Sequence, residues 1–121
     1  MKDITIHPQA SIKEAMEALD KTAKKVLLVV DNDEKLIGAL TDGDIRRYIL
    51  KEQDLIGTIE NAFNKNPIFV FQEDFEQGKV KRIFTEKTIE LIPIVDQDRK
   101  IVDYITWGKY LGIIENQKTK N

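Results

Sequence analysis

Apolar positions along this chain change their period several times, and each change marks an element. Ile4 and Ile6 alternate, as in a short strand. Ser11 followed by Glu14 reads as a capping box, and Ile12, Ala15, Met16 and Leu19 then recur at i, i+3, i+4 and i+7. That spacing predicts a helix to about Ala23 with one apolar face. Val26-Leu27-Leu28-Val29-Val30 is a continuous, β-branched-rich run, too short for a helix and bounded by Asp31-Asn32-Asp33. It predicts a strand buried on both faces. Leu36 to Leu40 forms the return strand, and after Thr41-Asp42 the spacing turns helical again at Ile45, Tyr48 and Ile49. The unit is β-α-β-β-α.

The same pattern recurs 65 residues later. That shift lays Val30 to Ile37 on Val95 to Val102 without a gap, Thr41 on Thr106 and Gly43 on Gly108, and it brings Ala15, Ala18 and Leu19 onto Val80, Ile83 and Phe84. The second copy is expected as a strand Ile68 to Phe71, a helix with Val80, Ile83 and Phe84, strands Leu91 to Val95 and Ile101 to Thr106, and a short helix from about Trp107 to Ile114. Between the copies Leu55, Ile59 and Phe63 stand at i, i+4 and i+8, which predicts a linking helix ending before Asn66-Pro67. The expected division is a first repeat over residues 1–53, a linker helix over 54–66, a second repeat over 67–114, and a disordered tail or linker over 115–121. The fold class is α/β (α+β), two β-α-β-β-α repeats packed about a pseudo-twofold axis, because either copy alone is small for a sufficient core. A cleft between the copies is then the expected ligand site.

Composition narrows the function. With 19 Lys+Arg against 21 Asp+Glu, the net charge of −2 argues against a partner of nucleic acid or anionic membrane. There is no cysteine, which removes disulfides, thiolate metal sites and cysteine nucleophiles. The single histidine, His7, sits in the strand-like opening beside Pro8 and reads as solvated. No apolar run approaches a membrane span, so the chain is read as cytoplasmic. Asp31-Asn32-Asp33 and Asp96-Gln97-Asp98 resemble the start of a calcium loop, but Leu36 and Ile101 stand where its glycine is required; they are read as hairpin turns, with no metal. No phosphate-binding P-loop motif occurs. Trp107 and Tyr110 read as packing or interface residues.

The run Gly38-Ala39-Leu40-Thr41-Asp42-Gly43-Asp44 is the best place for chemistry, since a strand there gives way to a helix. Thr41 and Asp44, three apart, share one face of the first turn. Asp42 and Asp44 diverge by about 200°, so they make a poor acid/base pair. Free N–H groups at a helix start and a threonine hydroxyl suit a phosphate, and a carboxylate nearby can accept from a ribose diol. Thr and Asp are equally the preferred capping residues, so the four residues Thr-Asp-Gly-Asp also read as a simple cap. Arg46 and Arg47 form either a solvated face or a bidentate phosphate contact.

The two β-α-β-β-α units, the Leu-Leu-Val-Val-Asp and Ile-Pro-Ile-Val-Asp strands and Gly38-x-x-Thr41-x-x-Asp44 resemble a tandem CBS domain pair, the Bateman module. The resemblance implies a homodimer and an adenosyl ligand, AMP, ADP, ATP or sometimes S-adenosylmethionine, in the cleft between the copies, with no cofactor required. It implies Thr41 and Asp44 as phosphate-side and ribose contacts, with adenine against Ile6 and Lys25, Val26 and Leu27; Asp42 and Arg47 complete the candidate set. More narrowly, Thr-Asp-Gly-Asp-Ile-Arg-Arg followed by Asn-Lys-Asn-Pro-Ile is similar to the CBS pair at the amino terminus of sugar-nucleotidyltransferases, and a related pattern occurs in arabinose-5-phosphate isomerases. The expected role is therefore a non-catalytic module that binds an adenine nucleotide and controls a catalytic domain in cis or a partner enzyme. The alternative is a structural or dimerising module without ligand. In the second copy Asp103 replaces the glycine and Lys109 the ribose carboxylate, and a lysine cannot accept from a diol, so one nucleotide site per chain is expected.

Overall fold

A computed structural model describes residues 3–22 and 24–112; the expected helix ends at Ala23 and Ile114, and the tail 115–121, fall outside them. The chain forms two compact units, Met1–Pro67 and Ile68–Asn121.

In the first unit, β1 (Thr5–Ile6), α1 (Ile12–Thr22), β2 (Val26–Val30), β3 (Leu36–Thr41) and α2 (Asp42–Glu52) follow in order, and the sheet runs β1-β2-β3. The capping box expected for α1 is formed: Glu14 N–H donates to Ser11 Oγ at 3.0 Å and Ser11 N–H to a Glu14 carboxylate oxygen at 3.1 Å. Ile12, Ala15 and Leu19 from α1 close on Leu27 and Val29 of β2, Leu40 of β3 and Ile45 of α2. Met16, at the edge of the same stripe, remains 46% exposed. Leu27, Leu28 and Val29 are all buried, so the central strand is covered on both faces as its unbroken apolar run predicts.

The stretch between the repeats corrects one expectation. Residues 54–66 contain no α-helix, only a 3-10 turn at Ile59–Asn61. The Asp54 carboxylate takes the N–H groups of Ile56 and Gly57 at 2.8 and 3.2 Å, an Asx turn that competes with helical pairing. Leu55 and Ile56 are left exposed, whereas Ile59 and Phe63 enter the first core. Asn64 then pairs with Ala39 through two backbone hydrogen bonds, at 2.8 and 3.0 Å, so the stretch is a strap across the first unit.

The second unit has β4 (Val70–Phe71), α3 (Gln77–Glu86), β5 (Leu91–Val95) and β6 (Ile101–Thr106), with sheet order β4-β5-β6, and then helix α4, described over residues 107–112. The two hairpins share one register: Val26 opposes Thr41 as Leu91 opposes Thr106, and both ladders slip at the same place, Val29/Val30 and Ile94/Val95. The first strands break the 65-residue offset, because Ile6 pairs with Val29 while Val70 pairs with Ile94, a shift of one residue. Val80 and Phe84 are buried at the positions matching Ala15 and Leu19. Trp107 and Tyr110 are packing residues here, ring on ring at 5.6 Å and both against Phe84.

Both acidic triplets are turns. Asp31 Oδ1 accepts from Asp33 and Lys35 N–H, Asp96 Oδ1 accepts from Asp98 and Lys100 N–H, and Glu34 and Arg99 take matching left-handed φ of 63° and 66°. Among the described residues no acidic or histidine cluster could hold a metal ion, and no helix is long and apolar enough to cross a membrane.

Candidate functional site

The site is built where β3 ends and α2 begins. Thr41 closes the strand in an extended conformation (φ −118°, ψ 168°) and serves as N-cap of the helix. Its Oγ1 accepts from the Asp44 N–H at 3.2 Å, and Asp44 Oδ2 accepts from the Thr41 N–H at 2.9 Å. The capping reading of these residues is thus realised. The other carboxylate oxygen, Oδ1, accepts from Arg47 Nη2 at 2.7 Å. Three positions on a helix separate that pair, which places both side chains on one face. The Asp44 side chain is 17% exposed and that of Arg47 is 68% exposed.

The sheet brings part of the expected ligand set to the same corner. Val26 lies directly opposite Thr41. Lys25 precedes it in the left-handed region at φ 62°, a conformation that costs a non-glycine residue on the order of 1 kcal/mol, and its side chain is exposed. Ile6 is further off: it pairs with Val29, three residues along β2 from Val26, about 10 Å at the usual strand rise. Leu27 is fully buried in the core, so its side chain faces no ligand and only its backbone is on offer. Asp42 is exposed on the first turn of α2, outside the groove that Asp44 lines.

That groove, of about 500 Å3, was not anticipated from the sequence. Besides Asp44 and Arg47 it is lined by Tyr48, Lys51, Glu52 and Asn61. The signal was present, because Tyr48 stands four residues after Asp44, and Lys51 four after Arg47, along one helix face. Gly38 also acquires a reason that the motif does not contain. A Cβ there would stand 2.2 Å from a Phe63 ring carbon and 2.6 Å from the Asn64 carbonyl oxygen, so the glycine admits the strap.

The matching corner of the second unit is differently made. Thr106 Oγ1 accepts from the Lys109 N–H at 3.1 Å, but Lys109 offers no carboxylate to return the bond. Its Nζ lies 3.7 Å from Asp103 Oδ1, and both side chains are more than half exposed.

The family model described as CBS domain matches residues 1–51. The solved CBS domain pair of protein MJ0100, in complex with 5'-methylthioadenosine and S-adenosyl-L-methionine, is 31% identical and superposes with a TM-score of 0.75 over 92% of this chain and 90% of that one. CBSX2 in complex with AMP has the same fold, with a TM-score of 0.80 at 20% identity over 94% of this chain and 88% of that one. Inosine-5'-monophosphate dehydrogenase of Aquifex aeolicus is 32% identical over 103 residues, which are 85% of this chain and 21% of the enzyme. The chain belongs to the CBS domain family, as a CBS domain pair: a regulatory module of two β-α-β-β-α repeats. It spans between 18% and 28% of the length of the curated relatives it matches.

Proposed function

We propose that this chain senses an adenosyl compound, an adenine nucleotide in particular, at the Thr41/Asp44 corner and controls an attached or partner enzyme. The observation that carries the reading is the Asp44 carboxylate, which accepts from the Thr41 N–H through Oδ2 and from Arg47 through Oδ1 and lines a solvent-open groove. A ribose diol needs such an acceptor. The MJ0100 pair, 31% identical, holds two adenosyl compounds, which supports the ligand class. With Lys109 and Asp103 in the matching positions, the second unit lacks that acceptor, so one ligand per chain is expected.

Thermal melting of the chain with adenosine, AMP, ADP, ATP and S-adenosylmethionine tests the reading. A ligand present at 100 times its dissociation constant stabilises by about 2.7 kcal/mol. Calorimetry should then give one site per chain; two equal sites would remove the distinction between the corners. No shift with any of the five would favour the second reading, a structural or dimerising module, which the closed capping box and the exposed Leu50, Leu55 and Ile56 support. Light scattering tests the homodimer that either reading expects. A sugar-nucleotidyltransferase as the controlled enzyme rests on the likeness of the Thr-Asp-Gly-Asp-Ile-Arg-Arg and Asn-Lys-Asn-Pro-Ile segments, and the dehydrogenase relative does not reinforce it. The reading frame beyond Asn121 decides that point.

A further inference from the structure

In the first unit the strap covers the edge of β3, where Asn64 takes both the N–H and the C=O of Ala39, and it brings Ile59 and Phe63 into the core. The second unit meets both needs by other means. Its β6 is an edge strand, and among the described residues no segment pairs with it as the strap pairs with β3. Its core is filled by its own side chains: Val80, Phe84 and Tyr110 stand where the first unit has the smaller Ala15, Leu19 and Ile45.

The edge falls to the two residues that depart from the motif of the first repeat. Tyr104 matches Ala39, and it lies opposite Pro93 as Ala39 lies opposite Leu28. Its N–H donates to Asp103 Oδ1 at 2.8 Å, and its C=O accepts from Lys109 Nζ at 3.5 Å. One acidic and one basic side chain thus occupy the two backbone groups that Asn64 occupies in the first unit. Free edge groups are a template for another strand, and charged side chains set on an edge refuse one, because docking must strip them of water. A side chain at position 103 adds bulk where Gly38 is bare and lets a segment lie across its strand. We propose that Asp103 and Lys109 guard the β6 edge against strand pairing with a second copy of this chain. Symmetry fixes the refused partner: two β6 edges can meet antiparallel about a twofold axis, each supplying the groups the other needs. Neither residue needs a nucleotide for this task.

The chain has no cysteine, so Val102→Cys, at an exposed position of β6, reports the pairing through oxidative cross-linking of two full chains. Val102→Cys alone should cross-link little. With Asp103→Ala and Lys109→Ala added, about tenfold more cross-linked dimer is expected at the same concentration, a change of about 1.4 kcal/mol in association. Hydrogen exchange reads the same edge within one molecule: protection of the Tyr104 amide should fall about fivefold in Asp103→Ala, as for the loss of one exposed hydrogen bond. Equal cross-linking in the two backgrounds, or strong cross-linking of Val102→Cys alone, shows that the pair guards nothing. An unchanged Tyr104 amide removes the Asp103 contact and the proposal with it. Melting within a few degrees of the parent shows that the triple variant is folded; should it unfold, Asp103→Asn with Lys109→Gln removes the charges at nearly constant size, and the same rise in cross-linking is expected.

Discussion

Two helix starts in the first unit and their two counterparts in the second occupy the same places in the repeat, yet only the first pair is closed. Ser11/Glu14 and Thr41/Asp44 each form a reciprocal capping box. Sixty-five residues on, the third-position carboxylates have become Lys79 and Lys109. Glu76, at the N-cap of α3, makes no side-chain capping bond, and Thr106 caps one way only. A cation in the first turn also opposes the helix dipole, where Glu14 and Asp44 favour it. Lysine in place of the third-position carboxylate thus weakens the cap at both helix starts, and at Lys109 it also removes the acceptor that a diol needs. Capping and ligand binding draw on the same carboxylate at Thr41/Asp44, so the two roles are not rivals.

The comparison can be broken at several points. Gly38→Ala should have the largest effect, because its Cβ has no room against Phe63; a loss of about 3 kcal/mol is expected, against almost none for Asp103→Ala, and urea unfolding of the two variants measures the contrast. Asp44→Ala should weaken nucleotide binding tenfold to a hundredfold, from about 1.5–3 kcal/mol for a hydrogen bond to a charged group. Calorimetry showing equal affinity would leave the corner as a cap only. Ser11→Ala should cost about 1 kcal/mol through the lost cap, and Glu76→Ala next to nothing. The smallest effect belongs to Lys109→Asp, which restores a carboxylate at the third position: a gain of a few tenths of a kcal/mol in the second unit is expected, with no second nucleotide bound while Asp103 remains.

Much of this was legible in the residues because the signals were local. A serine three before a glutamate, an unbroken Val-Leu-Leu-Val-Val run and a repeated Val-Asp-x-Asp turn each settle their own few residues, and each is found as read. The strap was misread because Leu55, Ile59 and Phe63 keep helical spacing while Asp54 captures the N–H groups a helix would need. Spacing records which side chains seek a core and is silent about which backbone donors are already taken. At the site, the Thr41/Asp44 geometry followed from the helix start. The Arg47 contact did not, since a long side chain chooses among several partners within reach.

The bare position at Gly38 makes the two repeats non-interchangeable. Grafting the second repeat in place of the first would press the Asp103 carboxylate against the Phe63 ring, and a truncation after Glu52 would strip Ile59 and Phe63 from the core they complete. Anyone transplanting the first repeat as a stand-alone receptor should carry its downstream residues through Pro67.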